Sequence, residues 1–265
     1  MSIQIIRAAS AIAIVLSLGG AALADPIASR LEKIRKSGAL RVCIWPEYYS
    51  ISYRNPRSGA LEGMDIEMAR HLAADLGVAV RFVDSSFSAL IENLTQDRCD
   101  VAMHGVGVTA TRREKLAFSA PVLRGGVYAI ASKRHPTIQS WEDIDREGVV
   151  VAAQAGTYME PVMKEMLTKA ELLVVRSPEA REQEVMSGRA DVFVTDYPYS
   201  RKMLAIHDWA RLLAPSQPLA PALYAYAVAP GDNAWLATVN DFVARAKRDG
   251  RLAKAAAEAG LAEIA

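Results

Sequence analysis

The chain has 265 residues, a formal net charge of +1 and a hydrophobic fraction of 51%. A net charge this close to zero, without any basic tract, gives a nucleic-acid partner no electrostatic support, and the apolar content excludes a disordered chain. The four histidines are scattered and the two cysteines cannot by themselves make a four-ligand zinc site. We therefore expect no metal and no other cofactor.

The first element is an N-terminal segment with the three parts of an export signal. A single cation, Arg7, precedes an apolar run over residues 8–18, and an A-x-A exit motif ends at Ala24. This pattern predicts a cleavable signal peptide over residues 1–24 and a periplasmic mature protein. A retained membrane helix is the alternative, but the apolar run is shorter than the roughly 18 residues that a span needs.

Strand and helix patterns then alternate along the chain. Short apolar runs predict strands, and amphipathic runs with capping residues or glycine stops predict helices. The first series is a helix at 27–35, a strand at 40–44, a turn or hairpin at 53–63, a helix at 65–76 capped by Asp65, a strand at 78–83, a helix at 88–94 and a strand at 100–103. The second series has strands at 127–132, 149–153, 172–175, 191–195 and 224–228, and helices at 140–144, 158–167, 178–186, 199–206 and 234–246.

The repetition of this pattern indicates two α/β lobes. Buried apolar strands that alternate with helices are typical of parallel sheets covered on both faces, so we expect two mostly parallel sheets flanked by helices, with a hinge and a central cleft. The first lobe would comprise residues 25–122 and 222–265, and the second lobe residues 123–221. Such lobes place ligands at the carboxyl ends of their strands, and closure about a hinge is a standard motion.

The two cysteines, Cys43 and Cys99, both lie beyond the predicted signal peptide. In an oxidising compartment they allow one disulfide. The alternative is a pair of buried free thiols, because cysteine also behaves as a small apolar residue. Either alternative gives the pair a structural role.

The most specific motif lies between residues 105 and 121. Its sequence, GVGVTATRREKLAFSAP, resembles the signature of the family 3 extracellular solute-binding proteins of the amino-acid ABC transporter type. Further matches are the segments GMDIEMA, QAGT and SGRAD, so the resemblance spans essentially the whole chain after residue 24. It implies the two-lobed periplasmic-binding-protein fold, an amino acid or related carboxylate as the ligand, and an ABC permease as the partner. We expect the protein to be a monomer.

The resemblance assigns Arg112 to the grip on a ligand's α-carboxylate. A guanidinium presents a rigid fork of donors that matches a carboxylate in two parallel hydrogen bonds. Gly105 and Gly107 would bring bare backbone N–H groups near the same carboxylate. A solvated surface position is the ordinary alternative for an arginine, and we assign that position to Arg113.

In the second lobe the resemblance points to a turn and to an acidic residue. Gly156 and Thr157 follow a predicted strand and open a helix. Free amides at a helix start suit an anion, so the amides of Thr157 and Tyr158 would close on the carboxylate. Asp196 occupies the family position that holds the ligand's ammonium group. Its alternative role is the N-cap of the following helix.

Aromatic side chains occupy the remaining family positions. Tyr48 and Phe87 match residues that enclose the ligand side chain, and Trp45 stands where many members have an aspartate. Gly107 stands where serine or threonine is common. Both departures remove polar groups, so we expect an apolar or aromatic amino acid as the ligand. His104, at a strand end, either reaches the cleft or packs in the core.

Parts of the chain also resemble the periplasmic cyclohexadienyl dehydratases, which share the two-lobed fold. The general acid of that group is a glutamate three residues after the position of Asp196, and Tyr199 stands there. A phenol with a pKa of about 10 is a far poorer acid near neutral pH than a carboxyl group. We therefore expect no enzymatic activity, with a dehydratase as the alternative. An accessory binding protein of a periplasmic dehydrogenase is a third hypothesis.

Overall fold

The computed structural model describes residues 29–217 and 219–265, so the predicted signal peptide lies outside the described residues. The strands are β1 (Ala39–Ile44), β2 (Glu47–Tyr48), β3 (Ser52–Arg54), β4 (Leu61–Glu62), β5 (Ala79–Asp84), β6 (Val101–Ala102), β7 (Ala117–Phe118), β8 (Leu123–Gly125), β9 (Tyr128–Ser132), β10 (Val150–Gln154), β11 (Glu171–Val175), β12 (Val192–Thr195), β13 (Ala210–Leu213), β14 (Ala222–Tyr224) and β15 (Ala227–Val228). The helices are α1 (Arg30–Ser37), α2 (Met64–Leu76), α3 (Leu90–Thr95), α4 (Ala110–Arg113), α5 (Met159–Met166), α6 (Pro178–Met186), α7 (Tyr197–Ile206), α8 (Asn233–Arg248) and α9 (Arg251–Glu258). Within these described ranges, no helix combines the length and the apolar character that a membrane crossing demands.

The first sheet has the order β5-β1-β6-β15-β7. Strands β5, β1 and β6 are parallel, whereas β15 runs against both of its neighbours. The two C-terminal helices pack on this part of the molecule. Helix α9 contacts α2, and the buried Trp235 of α8 donates its Nε1–H to the carbonyl of Asp100 at 2.9 Å. The end of the chain therefore completes the first lobe, which we define as the part built on this sheet.

The second sheet, which defines the second lobe, has the order β11-β10-β12-β9-β13. Strands β11, β10 and β12 are parallel, and β9 runs against both of its neighbours. The two-lobed α/β fold with mostly parallel sheets is confirmed: in the described part of the chain, four of the five strands in each sheet run in one direction and a single antiparallel strand makes the sheet mixed. The antiparallel strand is the one that arrives from the other lobe: β9 follows the first crossing of the chain and β15 follows the return.

A small two-stranded sheet lies where the chain passes between the lobes. Strands β8 and β14 pair there in antiparallel fashion, which is the arrangement expected of a hinge. The single strand predicted over 224–228 is wrong, because the chain is interrupted at Ala225, whose N–H donates to the carbonyl of Val106 at 3.1 Å. The exact residue limits predicted for the two lobes stay a prediction.

In the first lobe, one sequence-based prediction is wrong and one pair of alternatives is decided. Asp65 does not cap α2, since Gly63 precedes that helix and the Asp65 side chain is buried within its first turn. Cys43 and Cys99 are joined in a disulfide, the first of the two alternatives. The bond ties the end of β1 to the segment that precedes β6.

The strand ends explain where a site can form. The segments that follow β1 and β6 in the first lobe meet the segments that follow β10 and β12 in the second. Tyr48 contacts Asp196 across the gap, and Arg112 contacts Gly156. Side chains brought to the carboxyl ends of parallel strands by two lobes form the usual ligand cleft of such folds.

Candidate functional site

The first wall of the cleft consists of Trp45, Tyr48, Phe87 and Arg112. The three rings pack against one another, with centroids 5.2 Å apart for Trp45 and Tyr48 and 5.0 Å apart for Trp45 and Phe87. Tilted arrangements at these separations are favourable for aromatic pairs. The aromatic residues predicted from the sequence therefore form one continuous surface.

Arg112 is the charged member of the first wall. Thr109 caps the short helix α4 by accepting from the Arg112 N–H, and this places the guanidinium in the cleft. The residue is only 6% exposed. Its Nη1 donates to the carbonyl of Gly107 at 2.6 Å and its Nη2 to the carbonyl of Gly156, in the other lobe, at 2.8 Å. Among the described residues it has no acidic partner within ion-pair distance, and burial lowers its pKa to about 10.

The two glycines of the motif behave differently. The N–H of Gly105 donates to the buried Oδ2 of Asp65 at 2.7 Å, so the expectation that it faces a ligand is wrong. Burial raises the pKa of Asp65 to about 6, against the effect of this bond. Gly107 bridges Tyr224 on the hinge strand β14, and its carbonyl receives Arg112. A Cβ at Gly107 would lie 3.0 Å from Cδ1 of Tyr158.

The second wall consists of Thr157, Arg181, Asp196 and Tyr199. Asp196 caps α7 by accepting from the Tyr199 N–H at 3.1 Å. The same carboxylate also accepts from the hydroxyl of Tyr48 and, at 3.5 Å, from that of Tyr224. The N-cap role considered for Asp196 is confirmed, and its contact with a ligand's ammonium group stays a prediction. Burial raises its pKa above the ordinary value, although the hydrogen bonds from Tyr48 and the Tyr199 N–H oppose the rise.

The turn that opens α5 differs from the expectation. The N–H of Thr157 points to the carbonyl of Gln154 at 3.4 Å, and its hydroxyl donates to the same oxygen at 2.8 Å. The Thr157 amide is therefore used within its own turn instead of facing the cleft. The phenol of Tyr158 donates to the carbonyl of Gly126 at 2.9 Å and lies 3.4 Å from the Tyr224 hydroxyl. Tyr158 thus packs against the hinge.

Arg181, which is 2% exposed, is a residue of the site that was not predicted from the sequence. It lies on the inward stripe of α6 with Pro178 and Val185. Arg181 lies three residues after Pro178 and four before Val185, which is the spacing of one helix face. This spacing is the signal that could have revealed it. Tyr224 was missed as well, because its place in the site depends on the interruption after β14.

The two walls meet closely. Between them is a cavity of about 10 Å³, lined by the three rings of the first wall, by the second wall and by Gln154, Met159 and Thr195. A space of this size is about enough for one water molecule. The lobes must therefore separate before a metabolite can enter.

Two further residues test the remaining expectations. The hydroxyl of Tyr199 donates to Oε1 of Glu182, and burial raises the pKa of this phenol far above its ordinary range. His104 packs behind Phe87, with ring centroids 5.4 Å apart, and its Nδ1 lies 3.1 Å from the carbonyl of Cys43. Burial lowers the pKa of His104 to about 4. Neither group is placed to donate a proton into the cleft near neutral pH.

Comparisons with known proteins agree with this architecture. The family model for bacterial extracellular solute-binding proteins, family 3, matches residues 40–259. The chain is similar to the cyclohexadienyl dehydratase of Pseudomonas aeruginosa, with 32% identity over 225 residues that cover 84% of this chain and 83% of that protein. It is also similar to the L-cystine-binding protein TcyJ of Escherichia coli, with 25% identity over 255 residues that cover 94% and 92% of the two chains.

Among solved structures, the chain resembles the ancestral amino acid-binding protein AncCDT-1, described as a precursor of cyclohexadienyl dehydratase. The TM-score is 0.79 at 32% identity, covering 87% of this chain and 99% of that one. The relatives therefore include both an enzyme and proteins that bind amino acids.

Proposed function

Since the chain belongs to the bacterial extracellular solute-binding proteins of family 3, we propose that it captures a small carboxylate-bearing metabolite, an amino acid, in the periplasm and delivers it to an ABC permease. The resemblance found in residues 105–121 is thereby confirmed. Capture takes place by closure of the two lobes over the ligand.

The main support for this proposal is that Arg112 is buried without a counter-charge among the described residues. Its guanidinium is buried between the lobes and is held by two neutral carbonyls, one from each side. Removing a charge from water without a counter-charge is costly. A ligand carboxylate would supply that counter-charge and would match the guanidinium fork with two parallel hydrogen bonds. The contact with Gly156 would then be replaced by a stronger ionic one.

The other contacts of an amino acid follow from the two walls. Asp196, fully buried, offers a negative charge to the ligand's ammonium group. The surface formed by Trp45, Tyr48 and Phe87 would lie against the side chain, and it favours an apolar or aromatic one. Thr157 and Tyr158 would frame the site from the second lobe.

The closed form of the protein is the form that the permease would recognise. The ligand can shift the open-to-closed equilibrium only through contacts that the closed form alone provides. The contacts of Tyr48 with Asp196 and of Arg112 with Gly156 join the two lobes. The proposed ligand would replace these lobe-to-lobe contacts with contacts of its own. Its affinity would therefore depend on how much more favourable the ligand's contacts are than the contacts they replace.

A second function has a specific observation in its favour. The relative from Pseudomonas aeruginosa, named as a cyclohexadienyl dehydratase, is 32% identical over 84% of this chain. A dehydratase must protonate a departing hydroxyl, and Tyr199 stands at the expected acid position. Its phenol is bound to Glu182 and its pKa is raised by burial, which supports a binding role.

Two measurements separate these functions. Isothermal titration of the purified mature chain with each common amino acid should give at least one saturable binding event. Incubation with prephenate or arogenate should give no turnover above background. Turnover well above background would replace the binding proposal with the dehydratase.

A further inference from the structure

Arg181 is a second buried cation in the same cleft. It projects from α6 in the second lobe, and its side chain lines the small cavity that separates the two walls. Arginine is rarely this buried unless it has a partner. The sequence motif that identifies Arg112 does not include it.

The contacts of Arg181 leave part of its hydrogen-bonding capacity unused. Its Nη1 donates to the carbonyl of Val194 at 2.8 Å. Its guanidinium carbon lies 5.2 Å from the ring centroid of Phe193 and 4.8 Å from that of Tyr199. Its Nε is buried without a partner in the described structure. The rings hold the guanidinium in place, but no acidic side chain of the described residues lies within ion-pair distance of it.

The charges around the cleft do not cancel. Arg112 and Arg181 contribute two positive charges, and Asp196 contributes one negative charge. The nearby Glu182 is engaged by the hydroxyl of Tyr199 and lies 3.5 Å from Nε2 of His207. A zwitterionic ligand would use Arg112 and Asp196 and would leave Arg181 uncompensated. A ligand with one more negative charge would balance the site.

We propose that Arg181 receives a second acidic group of the ligand, so that the protein selects amino acids whose side chains carry a carboxylate. This inference rests on the proposed function, which supplies the amino-acid end of the ligand. It replaces the expected apolar or aromatic side chain with one that ends in an acid, whose carbon chain or ring would lie against the surface formed by Trp45, Tyr48 and Phe87. The unpaired Nε of Arg181 provides a donor for that group.

Matched ligand pairs test the proposal, because each pair differs chiefly in one charge. The pairs are L-glutamate with L-glutamine, and 4-carboxy-L-phenylalanine with L-phenylalanine, titrated calorimetrically into the mature chain at pH 7.5. The acidic member of at least one pair should bind at least about tenfold more tightly, since a buried cation left unpaired penalises the neutral member.

Variants of Arg181 then assign that preference. Arg181→Met should reduce it to less than about threefold by weakening the acidic member much more than the neutral one, because only the acidic group loses a charged partner. Arg181→Lys keeps the charge and should retain part of the preference. Arg189→Met is the matched control, since the Arg189 side chain is 63% exposed and pairs with Glu184. The Arg189→Met variant should bind both members of each pair with the wild-type affinity.

The outcomes distinguish this inference from the proposed function. If Arg181→Met weakens both members equally, Arg181 only holds the lobe together and the inference is wrong. It is also wrong if the wild type prefers the neutral members, or binds neither pair while it binds another amino acid through Arg112. Should Arg181→Met fail to fold, which circular dichroism would reveal, the Arg181→Lys variant decides. A preference for the acidic member that is reduced but retained supports the role of charge, and a loss of affinity shared equally by both members contradicts it.

Discussion

The two walls of the cleft are held in different ways. The first wall is braced from behind by its own lobe: the Cys43–Cys99 disulfide lies at the end of β1, and the buried Asp65 holds the backbone of Gly105. In the second wall, Asp196 caps its own helix and also accepts a hydrogen bond from the hydroxyl of Tyr48 in the first lobe.

This difference separates two tasks. The first wall can keep its shape whether the cleft is open or closed, which suits initial recognition of a carboxylate. The second wall gains some of its contacts only on closure, which suits a switch. Substitutions behind the first wall should therefore affect the free energy of unfolding most. Substitutions where the second lobe contacts the first should affect ligand affinity most. Three predictions test this division.

The largest effect is expected from the disulfide. In the double variant Cys43→Ala/Cys99→Ala, the cross-link between residues separated by 56 positions is lost. A loop of that length predicts a loss of about 4 kcal/mol in the free energy of unfolding. Urea denaturation measures it, with reduced wild-type protein as the control for the missing sulfur atoms. A loss below about 1 kcal/mol would mean that the first wall does not depend on this bond.

An intermediate effect is expected from Asp65 as a function of pH. The pKa of Asp65 in the folded chain is about 6, above its ordinary value of 3.8, because the carboxyl group is buried. The folded chain therefore holds a proton that the unfolded chain releases, and this contribution to stability is full below pH 3.8 and is lost as the pH rises through about 6. Ionising Asp65 in the folded chain costs about 3 kcal/mol.

The Asp65→Asn variant removes this dependence. Its stability relative to the wild type should rise by about 2 kcal/mol between pH 4 and pH 7, since part of the wild-type contribution is already lost at pH 4. Asp145→Asn is the control with a pKa shift of opposite sign: backbone N–H groups, chiefly that of Ala170, hold the pKa of Asp145 at about 2. Its stability relative to the wild type should stay nearly flat between pH 4 and pH 7, because the contribution of Asp145 is almost complete at pH 4 and is lost only as the pH falls through about 2. A flat difference for Asp65→Asn would show that this carboxyl is not buried as described.

The smallest effect is expected from the backbone of the second wall. Gly156 has a φ of 75°, and a Cβ there would lie 3.0 Å from the backbone N of Ser88 in the first lobe. Gly148 has a φ of 79° but nothing within 4 Å. Replacing either by alanine should cost about 1 kcal/mol of stability, because both adopt a left-handed conformation. Only Gly156→Ala should also obstruct closure and weaken ligand binding, by about tenfold. Equal affinities for the two variants would contradict the role of close lobe contact.

The sequence predicted the alternation of elements well, because buried strands and amphipathic helices have distinct periods. The helix at 178–186 has the predicted limits, and the hinge strand β8 lies between the two predicted series of elements. Sheet direction could not be read in the same way. The antiparallel placement of β9 and β15 depends on how the chain crosses between lobes, and no local pattern encodes that path.

The site was predictable only where a linear motif carries it. Arg112 and Asp196 lie in segments whose spacing is distinctive, and both reach the cleft. The capture of the Gly105 N–H by Asp65 joins residues 40 positions apart, so a pattern within one segment could not reveal it. Arg181 was missed because an arginine in an amphipathic helix is normally assigned to the exposed face.

One comparison tests the central claim most directly. The amino acid that binds the wild type most tightly is titrated into Arg112→Ala and into Arg113→Ala, whose exposed side chain makes it a matched control. Removing one partner of a buried charge pair costs about 3 kcal/mol, so Arg112→Ala should weaken binding at least about 100-fold. Arg113→Ala should change it less than about twofold, as expected of an exposed charge. Wild-type affinity in Arg112→Ala would contradict the carboxylate grip and the proposed function with it.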